Sequence, residues 1–151
     1  AAGQLDVIQE KLSILDRKPE AELLPFCEEH GITLQTYSPI EQGLLAGRAS
    51  DDYVPQKGEV RDGKVWWKPE NIRRANRMLA GWKDLTEKYN CTLANLCIHW
   101  NSMLSPNINV LCGARKLSQI EDTAKSMDVP LSREDFLRMK MDADAAIAEQ
   151  V

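Results

Sequence analysis

Two glycine-bearing stretches carry the residue types that suit the grip of an anion. In the first, Ile32 to Tyr37 runs into Ser38-Pro39 and then Ile40, Gly43, Leu44, Gly47 and Arg48. Small residues let a backbone come close to a ligand, free N–H groups point outward, and the cation neutralises charge. The second stretch repeats that order. A short apolar run, Ile108 to Cys112, leads into Gly113-Ala114-Arg115-Lys116 and a helical pattern from Leu117. Arg115 has the planar fork that holds a phosphate through two parallel bonds. Gln119 and Asp122 lie three apart on one face of that helix and suit the edge of a base or a sugar. Gln9, expected at the carboxyl end of a first strand, offers both a donor and an acceptor where parallel sheets bind ligands. Ordinary strand-to-helix loops account for the same residues, and at this level both readings stand.

Other chemistries lack their residues. Cys27, Cys91, Cys97 and Cys112 fall in four separate segments with no CxxC, and His30 and His99 are far apart, so zinc-site spacing is absent and no metal is expected. His30, before Gly31, suits a helix C-terminus, and His99 reads as a packed or surface histidine. Tyr37 has no neighbouring lysine or histidine to lower its pKa, and no catalytic residue is assigned.

The positioning elements follow from pattern. A strand centred on Val7-Ile8 precedes a helix of about three turns, opened by Asp16 and Pro19 and closed by Gly31. The β-branched run Ile32 to Tyr37 is a second strand, stopped by Pro39. Strand, crossover helix and strand predict a parallel pair. A polar connection from Ala49 to Pro69 follows, in which Trp66-Trp67 either line a lid or pin the loop to the core, the second being favoured. The spacing of Ile72, Ala75, Leu79, Trp82, Leu85 and Tyr89 predicts one long amphipathic helix. Thr92 caps the next, with Leu93, Leu96, Cys97 and Trp100 facing inward. Ile108 to Cys112 is a third strand. Ile120, Ala124 and Met127 predict an amphipathic helix after it, and Ser132-x-x-Asp135 caps a last helix reaching Ile147.

The 151 residues, 43% hydrophobic and 28% charged, fit one α/β domain over 1–151. A net charge of -4 argues against nucleic acid or an anionic membrane as partner, and no apolar run is long enough to span a bilayer. Ala1 to Asp6 lacks the layout of a signal peptide, and unpaired thiols fit a reducing cytoplasm. The abrupt start, without Met, reads as the middle of a longer protein.

Taken in order, these pieces resemble the aldo-keto reductases, specifically their carboxyl-terminal half. The likeness rests on Leu24-Pro25-Phe26-Cys27 with His30-Gly31-Ile32, on Tyr37-Ser38-Pro39-Ile40 with Gln42-Gly43-Leu44-Leu45 and Gly47-Arg48, and on Gly113-Ala114-Arg115 with Gln119 and Asp122-Thr123. It covers almost the whole chain. The resemblance implies a partial (β/α)8 TIM barrel, three parallel strands with flanking helices, drawn from a protein that reduces carbonyls with NADPH. It implies that Gln9 holds the nicotinamide carboxamide and that Tyr37 stacks on the ring. Ser38, Ile40, Gly43 and Leu44 then line the pyrophosphate path, with Arg48 where the family often has lysine. Gly113, Arg115, Gln119 and Asp122 grip the adenosine 2′-phosphate end. Thr123 stands where asparagine is usual, and Glu41-Gln42 where small residues are common.

The family's catalytic Asp, Tyr, Lys and His belong to its amino-terminal half, so this chain alone is expected to be silent. Three adjacent barrel strands cannot close, and two free edges with an apolar inner face predict either self-association or a rearranged packing. Two other functions fit: a reductase-like protein that senses cofactor and docks a partner without turnover, or a different barrel acting on a phosphorylated substrate.

Overall fold

A computed structural model describes residues 3–151. Its centre is a parallel three-stranded sheet of β1 (Val7–Lys11), β2 (Thr33–Tyr37) and β3 (Ile108–Val110), in the order β1-β2-β3. Chain order and spatial order coincide. A doubly wound sheet reverses its order at a switch point, whereas successive barrel strands add always on the same side.

The crossover from β1 to β2 differs in detail from its sequence reading. Asp16 does not cap a helix but forms an isolated antiparallel bridge with Ser13, and Pro19 sits in a 3-10 turn, Lys18–Glu20. Helix α1 (Leu23–His30) has eight residues, nearer two turns than three. Gly31, at φ 64°, closes it in the left-handed conformation that a side chain disfavours. β1 also continues two residues past Gln9, which lies mid-strand, and β3 stops at Val110 rather than Cys112.

The expected long helix is two, α2 (Pro69–Ala80) and α3 (Lys83–Tyr89), broken at Gly81-Trp82. Trp82 is wholly buried and its indole N–H donates to Asp142 (2.8 Å) on α6 (Arg133–Ala148), a contact made at the helix break. Asn90, at φ 46°, ends α3, and a Thr92–Asn95 capping box starts α4 (Leu93–Ser102). Ser132 caps α6 by accepting from the Asp135 N–H (3.1 Å). Trp66 and Trp67 are both buried, and the Trp66 indole donates to the Leu15 carbonyl (3.0 Å), so the pair pins the long connection.

Two apolar clusters result. The larger joins Trp66, Trp67, Ile72, Leu79 and Trp82 to Leu96, Trp100, Phe136 and Met139. The smaller, Leu12, Leu24, Cys27, Ile32 and Leu34, lies between α1 and one face of the sheet, the face that Ile8 and Ile108 share. The opposite face is polar, against the expected apolar inner surface: Gln9, Gln35 and Asn109 stand in register across it. Helix α5 (Leu117–Ala124) also departs from expectation, burying no residue and leaving Ile120 exposed, while Met127 falls beyond it in a 3-10 turn, Lys125–Asp128, and is exposed too. Among the described residues no helix is long and apolar enough to cross a membrane.

Candidate functional site

The carboxyl edge of the sheet carries both glycine turns. β2 ends at Tyr37, and the Leu111 N–H still donates to the Thr36 carbonyl (2.8 Å), so the segments leaving β2 and β3 start side by side. Tyr37 is 40% exposed and lines a cleft of about 420 Å³ with Glu10, Lys11 and Leu23. From there the backbone is strained. Ser38 (φ 56°), Glu41 (47°) and Gln42 (50°) occupy the left-handed region beside Gly43 (102°) and Gly47 (68°). Each non-glycine residue so placed costs about 1–3 kcal/mol, and such residues cluster where function demands a shape.

An ion pair between a half-buried lysine and a buried glutamate holds the strained turn. Glu41 is 1% exposed, its Oε2 lies 2.9 Å from Lys11 Nζ, and its Oε1 accepts from the Ser13 hydroxyl (2.6 Å). Asp16 completes the cluster at 3.1 Å from the same ammonium. Burial pulls the Lys11 ammonium down, but Glu41 and Asp16 together outweigh it and raise its pKa above the ordinary lysine value. On the outer side, Arg61 donates to the Gln42 carbonyl (2.9 Å) and to the Tyr53 hydroxyl (3.2 Å), its guanidinium 4.5 Å from the Trp67 ring centre. Gln42 itself donates to the Ser38 hydroxyl (3.0 Å). Sequence reasoning missed Lys11, Ser13, Asp16 and Arg61. The one available signal was Glu41-Gln42 in a turn expected to hold small residues.

The expected site residues are distributed unevenly. Tyr37, Ser38 and Gly43 lie at the end of β2 and in the turn that leaves it, Arg48 is exposed just beyond that turn, and Gly113 and Arg115, both exposed, follow β3. A Cβ on Gly113 would meet nothing within 4 Å, and on Gly43 only Arg61 Nη2 at 3.7 Å, so both backbones leave room for a ligand. Several of these groups are engaged within the protein. Leu44 is fully buried and Ile40 packs partly against the core, so their side chains serve the interior and only their backbone can line a path. The N–H groups of Glu41, Gly43, Leu45 and Gly47 are engaged within the turn rather than free for an anion. Gln119 Oε1 accepts from the N–H of Arg115 (2.7 Å) and Lys116 (3.1 Å), closing its own loop. Asp122 faces α4, its carbonyl accepting from Asn95 (2.8 Å) and its carboxylate from Thr92 (3.4 Å). Gln9, mid-strand, donates to Gln35 (2.8 Å). No group of three metal-ligating side chains occurs among the described residues.

Comparison with known proteins gives this edge a context. Residues 3–141 match the model of the aldo/keto reductase family. The chain is 43% identical over 143 residues to the NADH-specific methylglyoxal reductase of Escherichia coli K12, covering 95% of this chain and 43% of that protein. It is 31% identical over 138 residues to a probable voltage-gated potassium channel subunit beta of Arabidopsis thaliana, covering 85% and 42%. The glycerol dehydrogenase of Gluconobacter oxydans superposes with a TM-score of 0.81 at 23% identity, covering 96% of this chain and 43% of that one. The chain thus spans about two-fifths of the length of the curated relatives it matches. Its three strands follow the fold of an arc of that larger structure.

Proposed function

The chain belongs to the aldo/keto reductase family, and from that premise we propose that it is the nicotinamide-cofactor-binding half of a carbonyl reductase, with catalytic residues supplied from outside it. The observation that carries this reading is the meeting, at one sheet edge, of an exposed tyrosine, a strained glycine turn and an arginine loop. The bound cofactor would supply hydride to a small carbonyl compound, giving an alcohol. Tyr37 would present its ring to the nicotinamide, and Gln9 its amide to the carboxamide. Ser38, Gly43 and the backbone at Ile40 and Leu44 would flank the pyrophosphate, with Arg48 and Arg61 balancing its charge. Gly113, Arg115, Gln119 and Asp122 would border the adenosine end.

NADPH is the proposed cofactor, with the exposed Arg115 guanidinium reading the 2′-phosphate. In the full-length protein Arg115→Glu should weaken NADPH by about 2 kcal/mol or more, roughly 30-fold, and NADH far less. Equal losses for both would overturn the 2′-phosphate role. That result would favour a second reading, use of NADH, supported by the name of the E. coli relative and by Gln119 being committed to its own loop.

The potassium-channel relative supports the alternative of a cofactor-sensing interaction protein. Tight cofactor binding without turnover of any small aldehyde or ketone would select it. The net charge of -4 supports a partner other than nucleic acid or a membrane, and the unpaired thiols support a cytoplasmic setting. Among the described residues β1 has a neighbour on one side only, which supports self-association of the isolated chain; a monomer at all concentrations in sedimentation would refute that.

A further inference from the structure

The polar row on the open face of the sheet has a direction. Register sets Gln9 opposite Gln35 and Gln35 opposite Asn109. Gln9 Nε2 donates to Gln35 Oε1 (2.8 Å), and Gln35 Nε2 donates to Asn109 Oδ1 (3.4 Å). A primary amide has two ends of opposite character, so each bond fixes which end its neighbour must present. Turning Gln9 over alone would set two carbonyl oxygens against each other, and avoiding that requires Gln35 and Asn109 to turn with it. The row therefore leaves the Gln9 carbonyl oxygen as an acceptor at its β1 end.

We infer that Gln35 is a positioning residue, which, supported by Asn109, holds the Gln9 amide so that the site selects a ligand carboxamide over a carboxylate. This rests on the reading that Gln9 meets the nicotinamide of a dinucleotide. An oxygen facing the ligand accepts from a carboxamide N–H but repels a carboxylate, so the row distinguishes a nicotinamide dinucleotide from its nicotinic-acid counterpart. The tyrosine ring and phosphate grips would hold both equally. Neither Gln35 nor Asn109 needs to touch the ligand, and Gln35 acts through the face its neighbour presents.

The test is isothermal titration calorimetry of the full-length protein with NADPH and with its nicotinic-acid analogue. The wild type should bind the carboxamide form at least tenfold more tightly. Gln35→Lys places a donor where Gln9 now finds an acceptor, turns Gln9 over and should lower that ratio tenfold or more. Gln35→Glu keeps an acceptor for Gln9 Nε2 and should retain the ratio. Gln35→Met imposes no orientation and should fall between them, which covers the case of a lysine variant that fails to fold. Without ligand, the Gln9 side-chain amide protons should exchange slowly in the wild type and in Gln35→Glu, and rapidly in Gln35→Met. An unchanged ratio in both Gln35→Lys and Gln35→Met, with NADPH still bound, would overturn the row's role while leaving the cofactor reading intact. Failure of the wild type to bind either dinucleotide would instead strike the cofactor reading, leaving the exchange measurement to decide whether the row orients Gln9.

Discussion

Replacing Lys11 by methionine should destabilise the protein far more than loss of a surface lysine. The side chain is 23% exposed, but its partner Glu41 is 1% exposed and sits in a turn already strained at three non-glycine residues. At 2.9 Å and an effective dielectric near 20, the gross attraction is about 6 kcal/mol, most of it offset by desolvation. Breaking a buried pair from one side typically costs about 3–5 kcal/mol, because the stranded charge stays buried. Here about 3 kcal/mol is expected, since the Ser13 hydroxyl still donates to the carboxylate. Equilibrium urea unfolding at neutral pH measures the loss, and adding Glu41→Gln should recover most of it, because a neutral amide needs no counter-charge. The pair also sets an alkaline limit. Its lysine pKa is raised in the fold, so its stabilisation is complete below the unfolded value of 10.5 and drains away as pH climbs through the higher folded value. Lys11→Met should flatten that alkaline slope. A loss below about 1 kcal/mol, or a double variant no more stable than the single one, would refute the reasoning.

Hydrogen bonds from Lys88 and Tyr89, with Ser132 adding to them, hold the Asp135 carboxyl below the ordinary value of 3.8. Its stabilisation is therefore present above that value and lost as pH falls through the lower folded one, and thermal melts of Asp135→Asn should show a shallower acid limb. Gly47→Ala should cost about 1–3 kcal/mol, since φ is 68° and the new Cβ would lie 2.7 Å from Leu93 Cδ1; Gly113→Ala, with nothing nearby, should stay within about 0.5 kcal/mol by the same urea assay. Trp66→Phe removes the indole bond to the Leu15 carbonyl and should cost about 1–3 kcal/mol, with limited proteolysis showing faster cleavage between Ser50 and Lys64.

What was legible in the sequence was what local chemistry decides. The β-branched run before Ser38-Pro39, the glycine after His30, Thr92 ahead of an apolar stripe and Ser132 ahead of Asp135 each determine a boundary within a few residues. The helix break at Gly81-Trp82 was hidden because Trp82 stays on the apolar stripe of both helices, so the period runs on through the interruption. The extra length of β1 was hidden because Glu10 and Lys11 are poor strand formers, and partners distant in sequence hold them there. Glu41 was hidden for a similar reason. A charged turn residue belongs in water unless a lysine 30 positions earlier folds against it. The polar sheet face was legible only through register, which places Gln9, Gln35 and Asn109 abreast.

An ordinary strand-to-helix loop was the competing account of Ser38 to Arg48, and its energetics weigh against it. A simple connection can be made from residues in relaxed conformations. This one keeps Ser38, Glu41 and Gln42 in the left-handed region, at about 1–3 kcal/mol each. It then commits a buried carboxylate, a lysine from the neighbouring strand and an arginine stacked on tryptophan to keep them there. Those contacts fix the turn from below and from outside, yet they leave Tyr37 and the Gly43 backbone uncovered at the sheet edge. Strain held in place by surrounding structure, next to a face left open, is the arrangement expected where a backbone must be shaped before its ligand arrives. Preorganisation of that kind lowers the ordering cost on binding, which an idle connection has no use for.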